Sequence, residues 1–234
     1  MKIEIWSDIV CPFCYIGKRR FEEAFQQFGN ADQLEIEYKS FQLNPNTVTN
    51  TEISAHQNLA THKGISVQEA KQMGDHVTQM AKEVGLTYDF DKAVVANTLK
   101  AHQMLHFAKA KKLQLETKEV LLKAYFTDGV NIDDTNSLVD LGESIGLDGE
   151  ELRKSLDANE FEEAVRFDIY EAQQLKIQGV PFYVFNRKYG ISGAQQVEVF
   201  QQTLEKSFGE WSAENSVTPL QTISGDSCDV DGYC

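Results

Sequence analysis

A chain of 234 residues, 41% hydrophobic and 25% charged, is long enough and ordinary enough in composition to fold around a sizeable core. No apolar run reaches the roughly 18 residues of a membrane span, and the formal charge of −14, from 36 acidic and 22 basic side chains, argues against binding a nucleic-acid phosphate backbone. The opening residues, Met1-Lys2-Ile3-Glu4-Ile5-Trp6, show no basic segment leading into an apolar one, so no secretory signal is read and a cytoplasmic location is expected.

In chain order, Ile3 and Ile5 alternate with Glu4 and predict a strand over 2–6, followed by a short turn over 7–10. From Pro12 to about Phe28, Phe21, Phe25 and Phe28 recur at helical spacing, and Gly29-Asn30 stops the helix. Those three rings are read as core. Residues 34–41 predict a second strand. The segment from Asn44 to about Ile65 is polar and carries no clear period.

Helical signals then run to about Lys176 without a strand between them. Ser66 and Glu69 form a capping-box start and Gly85 a stop. Further starts are read at Asn97 or Thr98, at Thr117, and at Asp134 or Thr135. A last long helix carries Phe161, Val165, Ile169 and Ala172. Strands return over 181–185 and near Ile191, joined by the turn 186–190. Gly193-Ala194 opens a helix through Val197, Phe200 and Leu204, and a polar tail follows Trp211. The expected fold class is α/β, with residues 1–43 and 177–210 forming one discontinuous domain around an all-helical insertion of 44–176. Residues 211–234 form the tail.

The four cysteines fall in two close pairs, Cys11/Cys14 and Cys228/Cys234. Close pairs in a cytoplasmic protein read as redox or metal chemistry rather than a structural framework. Cys11 sits where a strand hands over to a helix, so free backbone N–H groups and the positive end of the helix dipole face its sulfur. Pro12 suits the first turn, which needs no N–H. Both effects favour the thiolate, so Cys11 is expected to be the more exposed thiol with the lower pKa. A zinc site would need a second pair at knuckle spacing, which 228/234 does not supply. Gly179-Val180-Pro181-Phe182 is the second signal, because proline at a strand start cannot donate to the ladder. Its isomer is not readable from sequence alone.

Cys11-Pro-Phe-Cys-Tyr-Ile-Gly-Lys18, Gly179-Val-Pro-Phe182 and Ile191-Ser-Gly-Ala-Gln195 resemble the DsbA family, specifically its FrnE-like branch, over about residues 2–208. Asn97-Thr98, Ala101-His102 and Ala124-Tyr-Phe-Thr-Asp-Gly129 belong to the same resemblance. It implies a thioredoxin fold with a helical insertion and activity on protein disulfides, with glutathione or a thioredoxin-type protein as reductant. It further implies that Cys11 attacks, Cys14 resolves, and a cis Val180–Pro181 faces them. Pro12, Phe13, Val180 and Pro181 would border the substrate. No cofactor or metal is implied. Periplasmic DsbA, a distant likeness, carries His between its cysteines. Phe13 offers a thiolate neither cation nor hydrogen bond, which weighs against a strong oxidant and keeps reductase or isomerase action open.

Two other readings stand beside this one. A glutathione-dependent isomerase or transferase resembling hydroxychromene-carboxylate isomerase would share the insertion but typically lacks the Cys-x-x-Cys pair. A chaperone-like module would use the helical block as a binding surface. His102 and His106 lie four apart on a helix, a metal-compatible spacing without an obvious third ligand, and packing is the simpler role. The run Lys109, Lys111, Lys112 reads as a solvated face. Cys228 and Cys234 are expected to close a local disulfide about Gly232 and to exchange with the first pair as an accessory redox site.

Overall fold

The computed structural model describes residues 1–215. β1 (Lys2–Ser7) runs into α1 (Pro12–Gln26) and then β2 (Glu35–Ser40). The middle of the chain forms β3 (Asn50–Ser54), α2 (Ala55–Lys63), α3 (Val67–Glu83), β4 (Val94–Val95), α4 (Leu99–Ala110) and α5 (Gln114–Lys123). A π-helical turn at 124–128 leads to α6 (Thr135–Ser144), α7 (Gly149–Asp157) and α8 (Glu162–Gln174). β5 (Phe182–Phe185), β6 (Tyr189–Ser192) and α9 (Val197–Asn215) complete the described chain.

The main sheet has the order β2-β1-β5-β6 and takes its strands from both ends of the described chain. β1 pairs with β2 in parallel, which requires a crossover, and α1 supplies it. The β1–β5 and β5–β6 pairs are antiparallel. Ile3, Ile5, Tyr183 and Phe185 face Phe21 of α1 and Phe200 and Leu204 of α9. Burial of Phe21 alone contributes about 2–3 kcal/mol. The opposite face packs Trp6 and Val184 on Ala172 of α8 and on Ile177, and the Trp6 indole donates to the Asp168 carbonyl at 2.9 Å.

Several expectations need correction. The middle of the chain is not wholly helical, because β3 and β4 form a two-stranded antiparallel ribbon. β4 has only two residues, too short to show alternation. Ser54 and Gln57 form a capping box that opens α2 within the segment left unassigned above. It matches the Ser66–Glu69 box at the head of α3. α5 begins at Gln114 rather than Thr117, whose hydroxyl instead donates back to the Leu113 carbonyl. α7, capped by Asp148, had no counterpart in the sequence reading. α9 continues past Trp211 to Asn215, because Trp211 packs on Phe208. Among the described residues no helix is long and apolar enough to cross a membrane.

His102 and His106 do not share a partner. His102 Nε2 lies 3.1 Å from Asp8 Oδ1, and His106 Nε2 lies 3.0 Å from Asp168 Oδ2. Asp168 also accepts from the Ser40 amide at 2.8 Å and from the Lys39 ammonium at 2.9 Å, tying β2 to α4 and α8.

Candidate active site

β1 ends at Ser7, and four residues carry the chain to the mouth of α1. Cys11 is the N-cap residue, in extended conformation, with Pro12 in the first turn. The Cys14 amide donates to the Cys11 carbonyl at 3.0 Å, which holds the two cysteines on one turn. Both are reduced and buried, each 3% exposed. The expectation that Cys11 would be the more exposed is therefore not met by residue area. The two differ in direction: Cys11 lines a cavity of about 510 Å³ and Cys14 does not.

The Val180–Pro181 peptide is cis. The Cys11 thiol donates to the Val180 carbonyl at 3.4 Å, so the loop before β5 closes directly over the pair. Gly17 makes that approach sterically feasible. A Cβ there would lie 2.6 Å from Tyr183 Oη, 3.2 Å from Pro181 Cγ and 3.3 Å from Ala194 Cα. Phe13, 40% exposed, stands on the cavity rim beside Pro12. The remaining wall comes from the middle of the chain, through Leu43, Leu59, Met73, Val77 and Phe90, with His62 and Lys63 among the polar lining residues. Cys228 and Cys234, with the expected local disulfide, lie outside the described residues.

Three polar residues lie beneath the pair, of which Asp8 and Lys118 were not singled out from sequence and His102 was read as packing. The Asp8 carboxylate accepts from the amides of Ile9 and Leu43, each at 2.8 Å, and from His102. Burial works against its ionisation, but these donors and the nearby Lys118 hold it below the ordinary carboxylate range. His102 is pushed down by burial, against the pull of Asp8. Lys118 of α5 is 0% exposed, and burial pushes its ammonium down to about 8.

The two thiols ionise as a pair. Cys11 is held well above the ordinary thiol range, first by its hydrogen bond to Cys14, then by burial and by the charge on Cys14 and on Asp8. Burial also opposes ionisation of Cys14, but the Cys11 thiol, Lys118 and Ser7 outweigh it and lower Cys14. In this geometry the shared negative charge sits on Cys14, the reverse of the expected order. The helix mouth favours Cys11, but the buried cation lies on the Cys14 side. Asp8 and Lys118 add to the hydrogen bond between the thiols in that direction, and those two residues are more than a hundred positions apart in sequence.

A strand–Cys-x-x-Cys–helix unit facing a cis-proline, on a sheet of order β2-β1-β5-β6, defines a thioredoxin-fold protein. The chain belongs to the DSBA-like thioredoxin domain family, whose description matches residues 2–205. It is 28% identical over 204 residues to the uncharacterized protein YwbO of Bacillus subtilis (strain 168), covering 86% of this chain and 94% of that one. The crystal structure of the probable DsbA oxidoreductase SCO1869 from Streptomyces coelicolor superposes with a TM-score of 0.83 at 35% identity, covering 99% of this chain and 97% of that one. A 2-hydroxychromene-2-carboxylate isomerase shares the fold with a TM-score of 0.63 at 17% identity, over 92% and 98% of the two chains.

Proposed function

We propose that this protein is a cytoplasmic thiol–disulfide oxidoreductase or isomerase that acts on protein disulfides through Cys11 and Cys14. The observation that carries the reading is directional: Cys11 alone of the pair lines the cavity, under the cis Val180–Pro181 loop and beside Phe13. The apolar wall of Leu43, Leu59, Met73 and Phe90 suits a stretch of polypeptide flanking a disulfide, and Val180 lines the same cavity.

In the reductive direction, the Cys11 thiol gives its proton to solvent, which leaves its sulfur as the nucleophile. Cys11 Sγ attacks one substrate sulfur. The substrate S–S bond breaks, and the departing thiolate takes a proton from solvent. Cys14, its own proton given to solvent, attacks Cys11 Sγ, which closes the Cys11–Cys14 disulfide and releases the second substrate thiolate. Two electrons have moved from the pair to the substrate. A dithiol protein of the thioredoxin type, or two glutathione molecules, restores the reduced pair. Run backwards, the same steps oxidise a substrate dithiol.

In an insulin-reduction assay, Cys11→Ser is expected to remove turnover, whereas Cys14→Ser accumulates a Cys11–substrate mixed disulfide visible by mass spectrometry. Wild-type turnover by Cys11→Ser sinks the assignment. Glutathione conjugation that survives loss of Cys14 would instead favour the isomerase-like reading, for which no resolving thiol is needed.

A further inference from the structure

Lys118 is an unusual residue to find at the centre of a protein. It is completely buried, and its Nζ has no hydrogen-bond partner among the described residues. An ammonium so placed is costly unless other charges compensate. Two features compensate here. The Tyr38 ring of β2 lies 5.5 Å from Nζ. The anionic groups acting on it most strongly are, in order, Cys14, Asp8 and Cys11. Ser7 Oγ, buried beside Cys14, is likewise without a partner. The unsatisfied donors around Cys14 thus come from two elements: Lys118 from α5 and Ser7 from the end of β1.

We propose that Lys118 is a positioning residue of the exchange pair, whose buried ammonium, with the Ser7 hydroxyl, stabilises the Cys14 thiolate and so sets both the rate at which the mixed disulfide is resolved and the potential of the couple. The proposal rests on the reading of Cys11 and Cys14 as the exchange pair. When Cys11 is engaged in a mixed disulfide, Cys14 loses its proton to solvent and the resulting thiolate is held by Lys118 until it attacks Cys11 Sγ. Once the disulfide has formed, no thiolate remains, and Lys118 faces only the Asp8 carboxylate as a counter-charge. Lys118 therefore favours the reduced state. The charged and titratable groups facing it are Cys11, Cys14 and Lys18 from α1 and its cap, Asp8 from the preceding loop, Tyr38 from β2, and His102 from α4 through Asp8. Lys18 opposes the ammonium, but its own charge is engaged by Glu22 and Glu119.

Lys118→Met keeps the length of the side chain and removes the charge. The expected results are a rise of at least tenfold in the proton affinity of the Cys14 thiolate, read by thiolate absorbance in Cys11→Ser and Cys11→Ser/Lys118→Met proteins, and a mixed disulfide that resolves at least tenfold more slowly at pH 7. The gap should narrow at pH 9.5, where Cys14 ionises unaided. Equilibration with glutathione should shift at least tenfold toward the oxidised protein, about 30 mV more reducing. Changes under twofold in all three, in a variant with wild-type circular dichroism, overturn the proposal. A second measurement needs no variant. The Lys118 ε-carbon resonance should titrate at lower pH in oxidised than in reduced wild type, and equal midpoints overturn it as well. If wild type fails to reduce insulin, the proposed function falls, while the titration and the glutathione equilibrium still decide whether Lys118 acts on the pair.

Discussion

Replacing Gly17 by alanine tests whether the close approach of α1 to the cis-proline loop is under steric control. Two opposed terms set the magnitude. An alanine in a helix interior is favoured over glycine by about 0.5–1 kcal/mol. Against this, the new Cβ would lie 2.6 Å from Tyr183 Oη and within 3.2–3.3 Å of Pro181 Cγ and Ala194 Cα. Tyr183 cannot easily retreat, because its ring is fully buried and packed 5.5 Å from Phe21 and 4.8 Å from Phe200 between centroids. Ala194 presents backbone, and its carbonyl accepts from Arg20 at 2.7 Å. Overpacking of this kind costs about 1–3 kcal/mol. The clash should therefore win, with a net loss of about 1–2 kcal/mol and a fall in Tm of roughly 2–8 °C. The strain falls on the loop that holds the Val180 carbonyl against Cys11, so turnover of a disulfide substrate should fall as well. Differential scanning calorimetry and insulin reduction on the same preparation check both. A Gly17→Ala protein with raised Tm and unchanged turnover refutes the reasoning, since helix propensity would then be the only effect present.

Acid stability should depend on Glu37. Burial opposes its ionisation, but Lys109, Lys2 and Lys39 hold its carboxyl down to about 2. A depressed folded-state pKa contributes stability above the unfolded value of roughly 4.3, and loses it as pH falls toward 2. Urea midpoints measured from pH 5 to pH 2 should therefore fall less steeply in Glu37→Gln than in wild type, and parallel curves contradict this. Asp168→Ala should lower the urea midpoint by the equivalent of about 2 kcal/mol, because it leaves the buried Ser40 amide without its acceptor and removes one of the carboxylates around Lys39, which keeps Glu171 and Glu37. A loss below about 1 kcal/mol would mean that solvent reaches the site.

What sequence could reveal here follows from the range of each signal. The Cys11–Cys14 turn, the Pro181 strand start and the Ser66–Glu69 cap are local, written in three or four neighbouring residues, and the structure carries each of them. The cis Val180–Pro181 came from family likeness, since a prolyl isomer depends on what packs against it. β4 was invisible because two residues cannot show a period of two. Asp8 looked like an ordinary turn residue, and Lys118 like one of many helix lysines. Nothing local distinguishes Lys118 from Lys123, which is exposed and paired with Asp128. The order of the two thiol pKa values failed for the same reason: the helix mouth is a local feature and the buried cation is not.

The middle of the chain is part of the site's construction rather than an appendage to it. Ile9, Tyr15 and Ile16 flank or face the cysteines, yet they belong to the same apolar cluster as Met104, Leu121 and Phe126. α1 thus lies between two cores, with Phe21 in the sheet's core and Tyr15 in the other. The Tyr88 hydroxyl donates to the carbonyl of Pro12, the residue that follows Cys11 and lines the cavity, at 2.8 Å. Tyr15 and Arg19 reach Glu119 of α5, one residue beyond Lys118. Any shift of α5 along α1 would therefore move the buried ammonium relative to Cys14 and break the Glu119 contacts together. A thioredoxin unit made only of β1, α1, β2, β5, β6 and α9 would keep both sulfurs, the helix mouth and the cis-proline. It would lack the cation, the His102 donor to Asp8 and most of the cavity wall. The sheet's half of the molecule supplies the two sulfurs and Asp8, and the other half supplies the buried cation and most of the cavity wall.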